Sequence, residues 1–212
     1  YRIYGGLSFY QRKEIKDILA YLRLIVNPKD EESLKRVINY PARGIGQTTV
    51  DKLVVGAKQH GLSLFDTVVR AKELAIPINA GTLTKLVNFS TLIQRFQIEN
   101  EGLNAFEIAD LVTKKIGLVQ ELKKDATPEG IARIENVEEL LNGIRDFTEG
   151  QRELADATGS LSEFLEDVAL ATDSDKDDDP NSDRVALMTI HLAKGLEFPF
   201  VYIVGLEEDL FP

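Results

Sequence analysis

Five residues near the end of the chain, Thr189, His191, Lys194, Gly195 and Glu197, have the types and spacing for chemistry on phosphates and sugars. The hydroxyl, the imidazole and the ammonium can each donate to a phosphate oxygen. Gly195 lets a ligand approach the backbone closely, and Glu197 can accept from a ribose hydroxyl. They fall between two runs, Val185 to Ile190 and Val201 to Val204, whose apolar character on both faces predicts buried strands joined by a short polar loop. Open α/β sheets bind ligands at the ends of such strands. Residue types alone fit a solvated strand connection equally well.

A second candidate is Arg43-Gly44-Ile45-Gly46-Gln47-Thr48-Thr49. A glycine-bracketed turn entering a helix points successive backbone amides outward, where the helix N-terminus favours anions. Arg43 adds charge, and Thr48 and Thr49 add hydroxyls, which together make a phosphate clamp of the helix-hairpin-helix kind. The spacing Gly-x-Gly also fits a plain interhelical turn.

Other groups read more blandly. The cluster Arg12-Lys-Glu-Ile-Lys-Asp17 at a helix start fits a solvated charged surface better than a basic nucleic-acid face. Phe9, Tyr10 and Tyr21 have rings that could stack on bases, but Tyr21 is expected in the core. His60 before Gly61 marks a helix C-terminus, where a partly charged imidazole complements the dipole. Asp173-x-Asp175-x-Asp177 opens like a calcium loop, yet Asp178 stands where glycine is needed and Arg184 where glutamate is needed. No metal ligands and no catalytic residues are assigned.

The elements that must position these groups follow from composition and periodicity. With 212 residues, 43% hydrophobic and 28% charged, the chain can close one sizeable core or two small ones. It has no cysteine, no run of about 18 apolar residues and no signal-like start, so a soluble, unsecreted, cytoplasmic protein is expected. The formal net charge of -10 speaks against nucleic acid until its distribution is read. Residues 1 to 60 carry +5 and the rest -15, of which -5 sits in the tract Asp173 to Asp183. A basic first quarter beside an acidic tether is compatible with DNA binding.

Tyr1 to Tyr4 reads as a short strand. Helical periodicity follows over Arg12 to Val26, with Ile15, Ile18, Leu19, Leu22, Ile25 and Val26 on one face, and Asn27-Pro28 stops it. Further helices are predicted at about Glu31 to Ile38 and Gln47 to His60, then in series with breaks near Gly61, Pro77, Gly102, Gly117 and 126–130. Thr127-Pro128 caps and starts the helix through Phe147, and Ser160-Leu-Ser-Glu163 has capping-box spacing. The Asp-rich tract is too charged to fold and reads as a linker. The expected fold class is therefore mainly α, a helical domain inserted into an α/β domain of which only a few strands are present. A start on Tyr1 and an end just after a strand point to a piece of a longer protein, and its strand edges to self-association.

The wording of the candidate sites carries a resemblance. Leu187-Met-Thr-Ile-His-Leu-Ala-Lys-Gly-Leu-Glu-Phe-Pro199 closely resembles motif V of superfamily 1A DNA helicases, the UvrD/PcrA/Rep family. Gly205-Leu-Glu-Glu-Asp-Leu-Phe-Pro212 resembles its continuation, with Asp209 where that family usually has a small residue. Tyr1 to Leu24 is similar to the segment leading from subdomain 2A into 2B, and Arg133 to Leu140 to a recurring 2B helix. Gly44-Ile-Gly46 is similar to a segment that touches duplex phosphates in that family. The resemblance spans the chain, most closely at both ends and at 39–50, more loosely from about 65 to 125.

It implies a RecA-like, P-loop NTPase setting for the strands. Residues 1–17 and 184–212 would belong to subdomain 2A, 18–172 to helical subdomain 2B, and 173–183 to the linker. The parent would be an ATP-dependent 3′–5′ DNA helicase of repair or replication that uses ATP and Mg2+. Glu197 and Gly195 would meet the ATP ribose, and Thr189, His191 and Lys194 the single strand. Arg43, Gly44, Ile45, Gly46, Thr48 and Thr49 would hold duplex at the junction. These 212 residues contain no Gly-x-x-x-x-Gly-Lys-Ser/Thr loop, so alone they are expected to bind no ATP and hydrolyse none. The other reading is a helical regulatory or protein-interaction module with little DNA affinity, which the acidic balance beyond residue 60 favours.

Overall fold

The computed structural model describes residues 2–3, 9–152, 159–174, 185–187, 190–195 and 197–204. The chain is mainly helical and divides into two compact units, Ser8–Asp177 and a smaller one made of Tyr1–Leu7 with Asp178–Pro212. A strand β1 (Arg2–Ile3) opens the chain, and a 3-10 turn (Phe9–Gln11) leads into α1 (Lys13–Val26). Then come α2 (Glu31–Val37), α3 (Gln47–His60), α4 (Leu64–Val69), α5 (Ala80–Asn100), α6 (Ala105–Lys115) and α7 (Leu118–Leu122). The long α8 (Pro128–Arg152) and α9 (Leu161–Ser174) complete the helical unit, and β2 (Ala186–Leu187) and a single turn α10 (Ile190–Ala193) belong to the smaller one.

α1 is the axis of the helical unit, packing against α2, α5, α6, α8 and α9. Its burial exceeds the single apolar face seen in its periodicity. Ile15, Ile18, Leu19, Leu22 and Ile25 are buried as expected, but so are Ala20, Tyr21 and Leu24 on the other sides, while Val26 is exposed. A helix enclosed nearly all round is a core helix. It runs without interruption across residue 17, where the sequence reading changed subdomain.

Burial also corrects the reading of Arg12 to Asp17 as a solvated face. Glu14 and Asp17 are both buried. Glu14 accepts from the Asn136 amide at 2.6 Å, and the Arg12 guanidinium donates to the same Asn136, tying α1 to α8. Asp17 pairs with Arg36 Nε of α2 at 2.7 Å, yet its Oδ2 has no partner among the described residues. Burial raises the Asp17 carboxyl above the usual range, and the nearby Arg36 guanidinium pulls it back only in part.

The ends of the helices are set by local side chains. Asp30, Ser63, Asn79, Asn104, Thr127 and Ser160 each accept from an amide in the first turn of α2, α4, α5, α6, α8 and α9 respectively. The boxes at Asn104/Glu107 and Ser160/Glu163 are closed in both directions. Gly61, at φ 63°, terminates α3 beside an exposed His60, as the sequence predicted.

In the smaller unit β1 and β2 pair in parallel, Arg2 opposite Ala186 and Ile3 opposite Leu187, so the whole helical unit is inserted between two neighbouring strands. The expected pair of buried strands at 185–190 and 201–204 is not seen. β2 is two residues long, Ile190 already begins a helical turn, and Val201 to Val204 are exposed and unpaired. An apolar run becomes a strand only where a neighbour accepts its ladder of hydrogen bonds. Among the described residues no strand lies beside 201–204.

Candidate nucleic-acid interface

The Gly44–Gly46 turn is held from behind by α1, the end of α2 and α5. Asn39 Oδ1 accepts from the amides of Arg43 and Ile45, each at 3.0 Å, and so folds the chain back after the cis Tyr40–Pro41 peptide. Ile45 drives its side chain into the core, where it is 1% exposed. Gly44 sits at φ 70° with its outer face in contact with Lys85 of α5, whose Nζ donates to the Gly44 carbonyl at 3.2 Å. Any residue but glycine would be strained at that φ and would collide with the ammonium.

Gly46 then caps α3 without a side chain, unlike Asp30, Ser63, Asn79 and Asn104 on their helices. The amides of Gln47 and Thr48 precede the first helical carbonyls and have no backbone acceptor among the described residues. Gly46, Gln47 and Thr48 are exposed, Thr49 is half-buried, and the first turn carries no acid. The next carboxylate along α3, Asp51, accepts from Gln47 Nε2 at 2.9 Å. This is an open, positive helix end of the kind that receives an oxyanion.

Arg43 does not face outward with it. Its Nη1 donates to the Val37 and Pro41 carbonyls at 2.9 and 3.3 Å, and its Nη2 to the Tyr21 hydroxyl at 2.6 Å. The guanidinium lies 5.7 Å from the Tyr21 ring centre and 5.3 Å from that of Phe89. Tyr21, fully buried, donates its own hydrogen bond to the Tyr40 carbonyl at 2.6 Å. Burial pushes its phenol up to about 12 despite Arg43, so the hydroxyl remains a donor at neutral pH. Tyr21 is thus a core residue, and Phe9 and Tyr10 pack half-buried against the core with their rings edge to face at 5.5 Å.

The second candidate lies in the smaller unit. Thr189 is outside the described residues, as is the Asp173–Asp183 linker from Asp175 onward. The backbone of His191 is in α10, not in a loop; Lys194 and Glu197 are exposed, and Gly195 has φ 86° with open space where a Cβ would stand.

The sequence pattern of the UvrD-like helicase C-terminal domain matches residues 1–212, the entire chain. The chain belongs to this family. Within it, the ATP-dependent DNA helicase PcrA of Staphylococcus aureus is 42% identical over 212 residues, covering 100% of this chain and 28% of that protein. PcrA of Staphylococcus epidermidis is 42% identical over the same shares. The chain therefore spans 28% of the length of these curated relatives.

For this UvrD-like domain, sequence reasoning missed Lys85 and Asn39, both of which shape the turn. Asn39 carried a local signal, an amide side chain just before a proline turn. Lys85 carried none, because it arrives from 41 residues away.

Proposed function

We propose that this UvrD-like domain is the part of an ATP-dependent 3′–5′ DNA helicase that grips duplex DNA and couples the ATP site to the single strand. The observation that carries the reading is the uncapped, acid-free, exposed start of α3 behind the Gly44–Gly46 turn. Gly44, Gly46, Thr48 and Thr49 receive the duplex phosphates there, with Arg43 and Ile45 supporting them. Thr189, His191 and Lys194 face the single strand, and Gly195 and Glu197 the ribose of ATP. ATP and Mg2+ are bound by the parent, which supplies the phosphate loop these residues lack; this chain alone binds neither. Residues 1–17 and 184–212 belong to subdomain 2A, 18–172 to 2B and 173–183 to the tether. The parent works in the cytoplasm in DNA repair or replication; no helix among the described residues is long and apolar enough to cross a membrane.

Fluorescence anisotropy with a labelled duplex bearing a 3′ single-stranded tail, against the tail alone, tests the grip. The expected result is a preference for the junction that falls steeply with salt. No binding at low salt would overturn it in favour of the second reading, a regulatory or protein-interaction module, which the balance of -15 beyond residue 60 favours. The exposed run Phe198 to Val204 supports self-association through its apolar side chains. A sedimentation profile that stays monomeric at high concentration would refute that.

A further inference from the structure

We propose that Lys85, rather than Arg43, brings the cationic side chain to phosphate at the Gly44–Gly46 turn, and that Arg43 is a positioning residue one layer behind it. This assignment rests on the duplex-gripping reading and divides the chemistry within it.

Sequence proximity favours Arg43, but most of its donors are already engaged. Three of its five possible N–H bonds go to Val37 O, Pro41 O and the Tyr21 hydroxyl, and the plane is flanked by the rings of Tyr21 and Phe89. A phosphate taking this guanidinium would remove a donor from the Tyr21 hydroxyl and from the Val37 carbonyl, which keep other partners, and would take from the Pro41 carbonyl the donor it has here, at about 1–3 kcal/mol for a group left unsatisfied. What Arg43 does in place is join four elements. It ties the Tyr21 side of α1, the last carbonyl of α2, the cis-proline turn and the Phe89 face of α5 into the wall that Gly44 leaves from.

Lys85 has the opposite character. It is exposed, and among the described residues its ammonium makes no ion pair. One N–H is oriented by the Gly44 carbonyl at 3.2 Å, which leaves two donors on the turn that leads into α3. The contact requires glycine at 44, because a Cβ there would fall 2.5 Å from the Lys85 Nζ. An ammonium held at Gly44 and the exposed start of α3 two residues further on together supply a two-part anion site: the backbone gives direction, the lysine gives charge. Its ligand class is a nucleic-acid phosphate.

The discriminating experiment measures duplex affinity against salt for the wild-type chain and for Lys85→Ala, Lys85→Arg, Arg43→Ala and Tyr21→Phe. Circular dichroism confirms that each is folded at the temperature used. A lost phosphate contact flattens the slope of log affinity against log salt by about 0.9, whereas a lost support lowers affinity without changing the slope. Lys85→Ala is expected to lose several-fold in affinity at low salt with the flatter slope and an unchanged melting temperature. Lys85→Arg should restore the slope. Arg43→Ala and Tyr21→Phe should weaken duplex binding at wild-type slope, leave affinity for single strand alone unchanged, and melt earlier. A wild-type slope in Lys85→Ala, or a slope lost in a folded Arg43→Ala, overturns the assignment while leaving duplex gripping in place. A wild-type chain that binds no duplex overturns both.

Discussion

The two units of this UvrD-like domain treat apolar sequence in opposite ways. In the helical unit the large residues close on one another: Tyr21, Phe89, Phe96 and Leu53 are fully buried. In the smaller unit an equally apolar stretch stays open, with Phe200 83%, Tyr202 88% and Val204 86% exposed. The first satisfies itself with helices, whose hydrogen bonds are internal; the second depends on strands, whose hydrogen bonds need neighbours. Yet the clearest chemical wording, at Thr189 to Glu197, belongs to the open unit. Spelling for a ligand and spelling for a stable core are therefore independent properties of this chain.

The sharpest way to break the contrast is to remove one large side chain from each unit. Phe89→Ala should cost about 3–5 kcal/mol in urea or thermal unfolding, because it opens a cavity in the core and strips one ring from Arg43. A loss below about 1 kcal/mol would mean the helical core is not what holds this unit together. Next in size is Arg36→Ala, which strands the buried Asp17 carboxylate. The 35% exposure of the Arg36 side chain discounts the full burial penalty to about 2–3 kcal/mol.

Acidity sharpens the same site. Since burial raises Asp17, the folded chain holds that proton more tightly than the unfolded one. Wild type should gain stability relative to Asp17→Asn as pH falls from 7 through the raised folded value, and the gain should level off below the unfolded one. Denaturant midpoints for the pair at several pH values check the sign; a wild type that loses ground on acidification refutes it. Gly44→Ala should cost about 1–2 kcal/mol for the left-handed backbone, read by thermal melting, together with duplex affinity. The smallest effect belongs to the open unit: Phe200→Ala should change the unfolding free energy by less than about 0.5 kcal/mol.

What could be read from the sequence divides along the same line between local and distant causes. Helix ends were legible because their determinants lie within four residues, as at Thr127 with Gly130, Ser160 with Glu163, and His60 with Gly61. The inserted, mainly helical architecture was legible from strand-like wording at both ends and helical periodicity between them. Glu14 and Asp17 were not, since nothing near them announces Asn136, 122 residues on, or Arg36 on the next helix. Val201 to Val204 was misread because apolar residues on both faces describe a strand's needs and not whether a neighbour meets them. At the Gly44–Gly46 turn the glycine-bracketed helix start was legible, being a property of the backbone, whereas the placement of Arg43 and Lys85 depends on α1 and α5.

The parallel register of Arg2 with Ala186 also sets a timetable. At translation rates of roughly 5–20 residues per second, β1 leaves the ribosome about ten to forty seconds before β2 exists. Helices form and dock on local contacts far faster than that. The interval thus gives the inserted unit time to finish folding while β1 waits unpaired, and a folded insert shortens the loop that the late strand pair must close.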